Sequence, residues 1–216
     1  MQKSRHPLIA REGWSILFVV GVAAVASTYF LYWLAILLWI VFFFSLQFFR
    51  DPPRTPPEGE SSVCAPADGR VIVVGEANNP ITGDRNLKIS IFMNVFNVHS
   101  NRLPVSGKIV ERRYSAGKFF NAALDKASDR NEQNALVIES DGGQKITCIQ
   151  IAGLIARRIL CYISEGERGR KGERFGFIRF GSRVDVYLPL GSKPIAAVGD
   201  KVVGGQSIVA ELEKVG

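Results

Sequence analysis

The chain has 216 residues, a 47% hydrophobic share and a formal net charge of +7. That length allows one soluble domain plus an appendage. Cys64, Cys148 and Cys161 form no CxxC pair and the histidines are only His6 and His99, which argues against a disulfide framework or a zinc site and for reduced thiols facing the cytoplasm.

Residues 1–13 are polar and basic, and residues 14–49 carry no charge at all. A membrane helix takes about 20 apolar residues, so this run reads as two short spans, a two-helix hairpin joined near Ser27-Thr28-Tyr29. Tyr29, Tyr32 and Trp33 would lie at one interface and Trp14 near the other. Lys3, Arg5 and Arg11 flank one end and Arg50 and Arg54 the other, which places both termini, and the domain that follows, on the cytoplasmic side of the cell membrane. One long tilted helix or an amphitropic anchor is the alternative. Ala24-Val25-Ala26 has the look of a signal-cleavage site, but the apolar run continues past it to Phe49. Residues 50–60 contain Pro52, Pro53, Pro56 and Pro57 and read as a semi-rigid linker. The expected plan is an anchor over 1–49, a linker over 50–60 and a β domain over 61–216. A basic domain beside a membrane segment suits anionic lipid headgroups. No helix-turn-helix, zinc-finger or RNP-type motif supports nucleic acid as the partner.

From residue 61 the texture is β. Residues 63–74 read as strand, Asp68-Gly69 turn, strand. Residues 87–96 form a strong strand, followed by a polar loop that holds His99 and closes at Pro104 and Gly107. A strand restarts over 107–110. Residues 116–134 are the least β-like, a loop or short helix. Strands over 135–140 and 146–151 flank a turn at Asp141-Gly142-Gly143. Residues 166–176 are a glycine- and arginine-rich loop without the spacing of a phosphate loop. Residues 176–180 and 184–188 alternate as strands around Gly181-Ser182 until Pro189 stops them. On pattern alone that Gly-Ser pair is a turn. Residues 198–208 resemble the strand–turn–strand of biotinyl/lipoyl-type barrel-sandwich domains, and PADGRV and PVSGKI look like matching turns. The expected fold is mainly β, a barrel-sandwich-hybrid-like antiparallel domain behind a helical membrane anchor.

Familiar catalytic sets are missing. Ser182 sits in FGSRV and not in a GxSxG elbow, and His99 alone cannot build a zinc peptidase. Asp125-Lys126-Ala127 has the letters of a carrier-domain lysine site but falls in the non-β stretch.

The apolar N-terminal segment, PADG, FMNVFNVHSNRLPVSGKI, RFGSRVDVYLP and GDKVVGGQ together resemble the phosphatidylserine decarboxylase proenzymes of the short bacterial and archaeal type. The resemblance spans nearly the whole chain. It implies self-cleavage between Gly181 and Ser182, in which the serine attacks the preceding carbonyl and is left as a covalent pyruvoyl group. The two chains would stay together as a heterodimer. The pyruvoyl ketone would form a Schiff base with the lipid amine and turn phosphatidylserine into phosphatidylethanolamine and CO₂. His99 is the implied proton donor, and Asp68 matches an aspartate that assists self-cleavage.

Two positions depart from the pattern. Many members carry HxxH preceded by an aspartate; this chain has Asn97 for the aspartate and Arg102 for the second histidine. The base for self-cleavage is therefore Asp68 alone or Asp68 with His99, and Arg102 is a candidate for the lipid phosphate or carboxylate. Three alternatives stay open: an archaetidylserine decarboxylase, a pyruvoyl-dependent decarboxylase of a soluble amino acid, and a non-enzymatic membrane-tethered barrel-sandwich adaptor.

Overall fold

The structure, a computed structural model, describes residues 7–117, 131–153, 158–178 and 181–213. The chain divides into two compact units, Met1–Pro53 and Arg54–Gly216. The expectations for Lys3, Arg5, His6, Asp125-Lys126-Ala127 and most of the loop over 116–134 lie outside the described residues.

In the first unit a 3-10 turn, Arg11–Gly13, leads into α1 (Trp14–Phe30), and α2 (Tyr32–Phe48) runs back along it. The break comes at Leu31, with φ −144° and ψ 78°, two residues beyond the expected joint. Thr28 does not break the helix because its hydroxyl is satisfied within the hairpin. Oγ1 donates to the Ala24 carbonyl at 2.9 Å and accepts the Trp39 indole N–H at 3.3 Å. Small residues line the contact: Ala24 and Ala35 are buried, and Gly21 faces the Phe42 ring. Phe18, Val22, Trp33, Ile40 and Phe43 are exposed. Arg11–Phe30 is long and apolar enough to cross a membrane, and α2 is shorter.

The second unit is β. Its strands are β1 (Ser62–Cys64), β2 (Gly69–Asn78), β3 (Arg85–Met93), β4 (Ser100–Arg102), β5 (Gly107–Ser115), β6 (Gln133–Ser140) and β7 (Lys145–Ala152). They continue as β8 (Ile159–Cys161), β9 (Arg168–Gly169), β10 (Arg174–Ile178), β11 (Ser182–Leu188), β12 (Lys193–Pro194), β13 (Lys201–Val202) and β14 (Ile208–Glu211). An eight-stranded antiparallel sheet has the order β13-β2-β3-β11-β7-β6-β5-β9, and two three-stranded sheets have the orders β1-β14-β12 and β4-β10-β8. Bulges in β2, between Val71 and Val73, and in β5, between Ile109 and Glu111, bend the large sheet.

The main core is built from one face of that sheet (Ile89, Ile91, Val184, Val186, Leu136, Ile138) and from Val63, Val209, Phe175 and Ile178 of the small sheets. The mainly β, antiparallel expectation holds. Two expected hairpins do not form, however. The strands on either side of Asp68-Gly69 belong to different sheets, as do β10 and β11 on either side of Gly181-Ser182. At the first site Pro66 has no N–H for a ladder. There the Ala65 N–H goes to the Ser207 carbonyl, and the Pro66 carbonyl takes the Arg102 N–H. The chain therefore changes sheets where a simple turn was expected.

Candidate active site

Ser182 opens β11, in the middle of the large sheet. It pairs with Met93 of β3 on one side and Ala152 of β7 on the other, and it is fully buried. The alternation of β11 sends Ser182, Val184, Val186 and Leu188 toward the core. Ser182 Oγ donates to the Met93 thioether at 3.3 Å. Gly181 has φ +58°, a left-handed conformation that glycine adopts without penalty, and a Cβ there would meet no described residue within 4 Å. Ser182, just after that glycine, is held by a strand on each side.

His99 reaches the same region from the loop between β3 and β4. Asn97 shapes that loop: its side chain accepts the Asn94 N–H at 2.9 Å, and its carbonyl lies 2.9 Å from His99 Nδ1. A carbonyl only accepts, so Nδ1 carries the hydrogen and Nε2 is the basic nitrogen. The ring is buried, 6.3 Å from that of Phe177, and the His99 carbonyl accepts the Ile178 N–H four residues before Ser182.

Asp68 has partners of its own. Oδ1 accepts the Gly204 N–H at 2.7 Å and Oδ2 pairs with Arg54 at 3.0 Å. Phe92 pairs with both Arg70 and Arg183, which sets β2 two strands from β11, about 10 Å away. The Gly204 that Asp68 binds packs against the Ala67 backbone, next to Asp68 itself. The contacts of Asp68 fasten the linker to the C-terminal loop. Arg102 is buried too: Nη1 donates to the Gly172 carbonyl at 3.1 Å, and its stem covers Gly205.

Three further residues join the site without having stood out in the sequence. Met93, Asn101 and Gln150 point into the same corner, where Asn101 Nδ2 lies 3.8 Å from the Met93 sulfur and Gln150 Nε2 donates to Asn101 Oδ1 at 2.7 Å. Their signal was a polar side chain at a core-facing position: Gln150 shares a face of β7 with Ile146 and Cys148. Behind β11, Arg183 and Asp185 form a fully buried pair through Nε–Oδ1 at 2.5 Å and Nη2–Oδ2 at 2.9 Å, joined by Ser90 and Lys88. Among the described residues no cluster of His, Cys, Asp and Glu is arranged to hold a metal.

A family model described as phosphatidylserine decarboxylase matches residues 41–210. The phosphatidylserine decarboxylase proenzyme of Nitrosomonas europaea is 56% identical over 209 residues, covering 95% of this chain and 96% of that protein. That of Aromatoleum aromaticum is 53% identical over 208 residues, covering 96% and 97%. That of Cupriavidus pinatubonensis is 54% identical over 214 residues, covering 97% and 98%. With a model across most of its length and relatives above half identity end to end, the chain belongs to the phosphatidylserine decarboxylase family.

Proposed function

We propose that this chain is a membrane-bound, self-processing decarboxylase that converts phosphatidylserine to phosphatidylethanolamine and CO₂, with a pyruvoyl group made from Ser182. The observation that carries this reading is the placement of Ser182. A buried serine, locked in a central strand, follows a glycine in the left-handed conformation.

Self-processing begins when Oγ bonds to the Gly181 carbonyl carbon and the Gly181–Ser182 C–N bond breaks, the amine keeping the proton that the hydroxyl gives up. Loss of the Ser182 α-proton then expels Oγ as part of the Gly181 carboxylate. Tautomerisation, addition of one water and loss of one ammonia leave the ketone. The fit to such a group is favourable. β3 and β7 hold residue 182 in place from both sides.

Once formed, the ketone supplies the carbonyl that takes up the lipid amine and the electron sink for decarboxylation. The protein's own residues orient and protonate. His99, with Nδ1 fixed on the Asn97 carbonyl, offers Nε2 for proton transfer. His99 also fits the base role in self-cleavage better than Asp68, whose oxygens are engaged by Arg54 and Gly204. Arg102 is the proposed anchor for the lipid's phosphate or carboxylate. The apolar hairpin keeps the enzyme where its substrate resides, with the β unit on the cytoplasmic side.

The test is decarboxylation by the purified full chain in mixed micelles of carboxyl-labelled phosphatidylserine. Release of labelled CO₂ with matching phosphatidylethanolamine is expected, and none from Ser182→Ala. Release from free serine but not from the lipid would favour the soluble amino-acid reading.

A further inference from the structure

A chain of amides runs from the protein surface to Ser182, and its direction is fixed at the outer end. The Arg112 guanidinium only donates, and its Nε bonds Asn134 Oδ1 at 3.2 Å. Asn134 must therefore turn Nδ2 inward, to Gln150 Oε1 at 2.9 Å. Gln150 in turn presents Nε2 to Asn101 Oδ1 at 2.7 Å, and Asn101 can only offer its NH₂ to the Met93 sulfur at 3.8 Å. Asn134, Gln150 and Asn101 are all buried, so none can reverse without stranding a polar group. The thioether at the end of this series receives the Ser182 hydroxyl at 3.3 Å.

We propose that Met93, its sulfur held by this directional amide series, is the positioning residue that aims the Ser182 hydroxyl for self-cleavage. The inference rests on the self-processing reading above. A thioether suits both states of the site. Before cleavage it accepts the Oγ–H weakly, which directs the proton onto sulfur and the oxygen lone pairs away from it without holding the nucleophile in a deep well. Sulfur takes no proton; that goes to the amine released from the Gly181–Ser182 bond. After cleavage Oγ has left with the Gly181 carboxylate, and the former Ser182 Cβ is a methyl group. A carboxylate or amide at position 93 would then face that methyl with an unanswered acceptor, at the cost attached to buried polar groups. A thioether packs against a methyl as an ordinary apolar neighbour.

The sequence makes a single-atom test available, because Met1 and Met93 are its two methionines. Full-length protein is produced in a methionine auxotroph with methionine, selenomethionine or norleucine, and the uncleaved fraction is followed by denaturing mass spectrometry after a pulse of synthesis. Norleucine keeps the length and shape of the side chain and removes only the acceptor. Cleavage of the norleucine protein is expected to slow by about five- to ten-fold, the scale of one weak hydrogen bond, with melting within a few degrees of the methionine protein. Selenomethionine, which keeps a chalcogen acceptor, is expected to cleave within about two-fold of methionine. Turnover per trapped carbonyl should fall less than the cleavage rate, since no hydroxyl remains to be aimed. Norleucine protein cleaving as fast as the methionine form would overturn the role of Met93 alone. So would equal slowing by selenomethionine and norleucine. A methionine protein that never cleaves would instead overturn the self-processing reading beneath it.

Discussion

At the scale of single residues, burial decides what each side chain can do. The Cys64 thiol is fully buried, and its pKa is pushed up to about 11 by desolvation, against a smaller opposing pull from Lys171. The folded chain holds that proton more tightly than the unfolded one, so stability is whole below pH 9 and is lost as pH rises toward 11. The loss is about 2–3 kcal/mol. Lys171, lowered by its own desolvation, opposes part of that slope. Chemical denaturation in detergent at pH 8, 9.5 and 11 should show the fall, and Cys64→Ala should make it shallower without abolishing it, because burial also raises the Cys148 thiol.

The buried Arg183–Asp185 pair is more consequential. Asp185→Asn leaves Arg183 and Lys88 without their shared countercharge, and the same denaturation should register about 3–5 kcal/mol lost. Neither effect was legible in the sequence. Arg183 and Asp185 alternate with valines as solvent-facing residues do, but in this sheet the second face is covered as well: Tyr187, Ile149 and Ile151 cluster there. Alternation reports that two faces differ, not that one of them is wet.

At the scale of elements, the strands themselves were well marked. β3, β6, β7 and β11 fall where β-branched runs and Asp-Gly or Gly-Ser breaks put them. Partnership was not marked, because pairing depends on residues far along the chain. Asp68-Gly69 and Gly181-Ser182 both have local turn chemistry, yet both are points where the chain leaves one sheet for another. The two glycines should accordingly respond differently to a methyl group. At Gly69 a Cβ would sit 2.2 Å from the Phe92 carbonyl, so Gly69→Ala must part β2 from β3. The expected loss is about 1–3 kcal/mol, with slower cleavage because Met93 closes the same strand. At Gly181 no described residue obstructs a methyl, and the cost of Gly181→Ala is that of the left-handed conformation, about 1–2 kcal/mol. Thermal melts should rank Gly69→Ala as the more damaging to stability. Cleavage assays should find both slowed.

At the scale of the whole molecule, the division into an apolar helical hairpin and a β unit follows directly from the uncharged run over 14–49 and the change of texture that follows it. Ser182 and His99 were marked as candidates by the family's motifs, whereas Met93, Asn101 and Gln150 were not, because only the folded sheet brings them together. The partners of Asp68 were not legible either, because Arg54 and Gly204 come from opposite ends of the β unit. The proposed topology predicts that a fluorescent reporter fused at the C-terminus matures in the cytoplasm, whereas a periplasm-dependent phosphatase fused there stays inactive. The reverse pattern would put the β unit on the wrong side. The central claim is that the chain cuts itself ahead of Ser182 and converts that residue to a ketone. Its most direct measurement is the denaturing intact mass of freshly purified protein, with and without borohydride and an amine. The account predicts two chains, residues 1–181 and 182–216, the second lighter than a serine-initiated peptide by one ammonia and shifted by amine trapping, with Ser182→Ala left whole. One unbroken chain from the unaltered sequence, or a second fragment beginning with an intact serine, would contradict it.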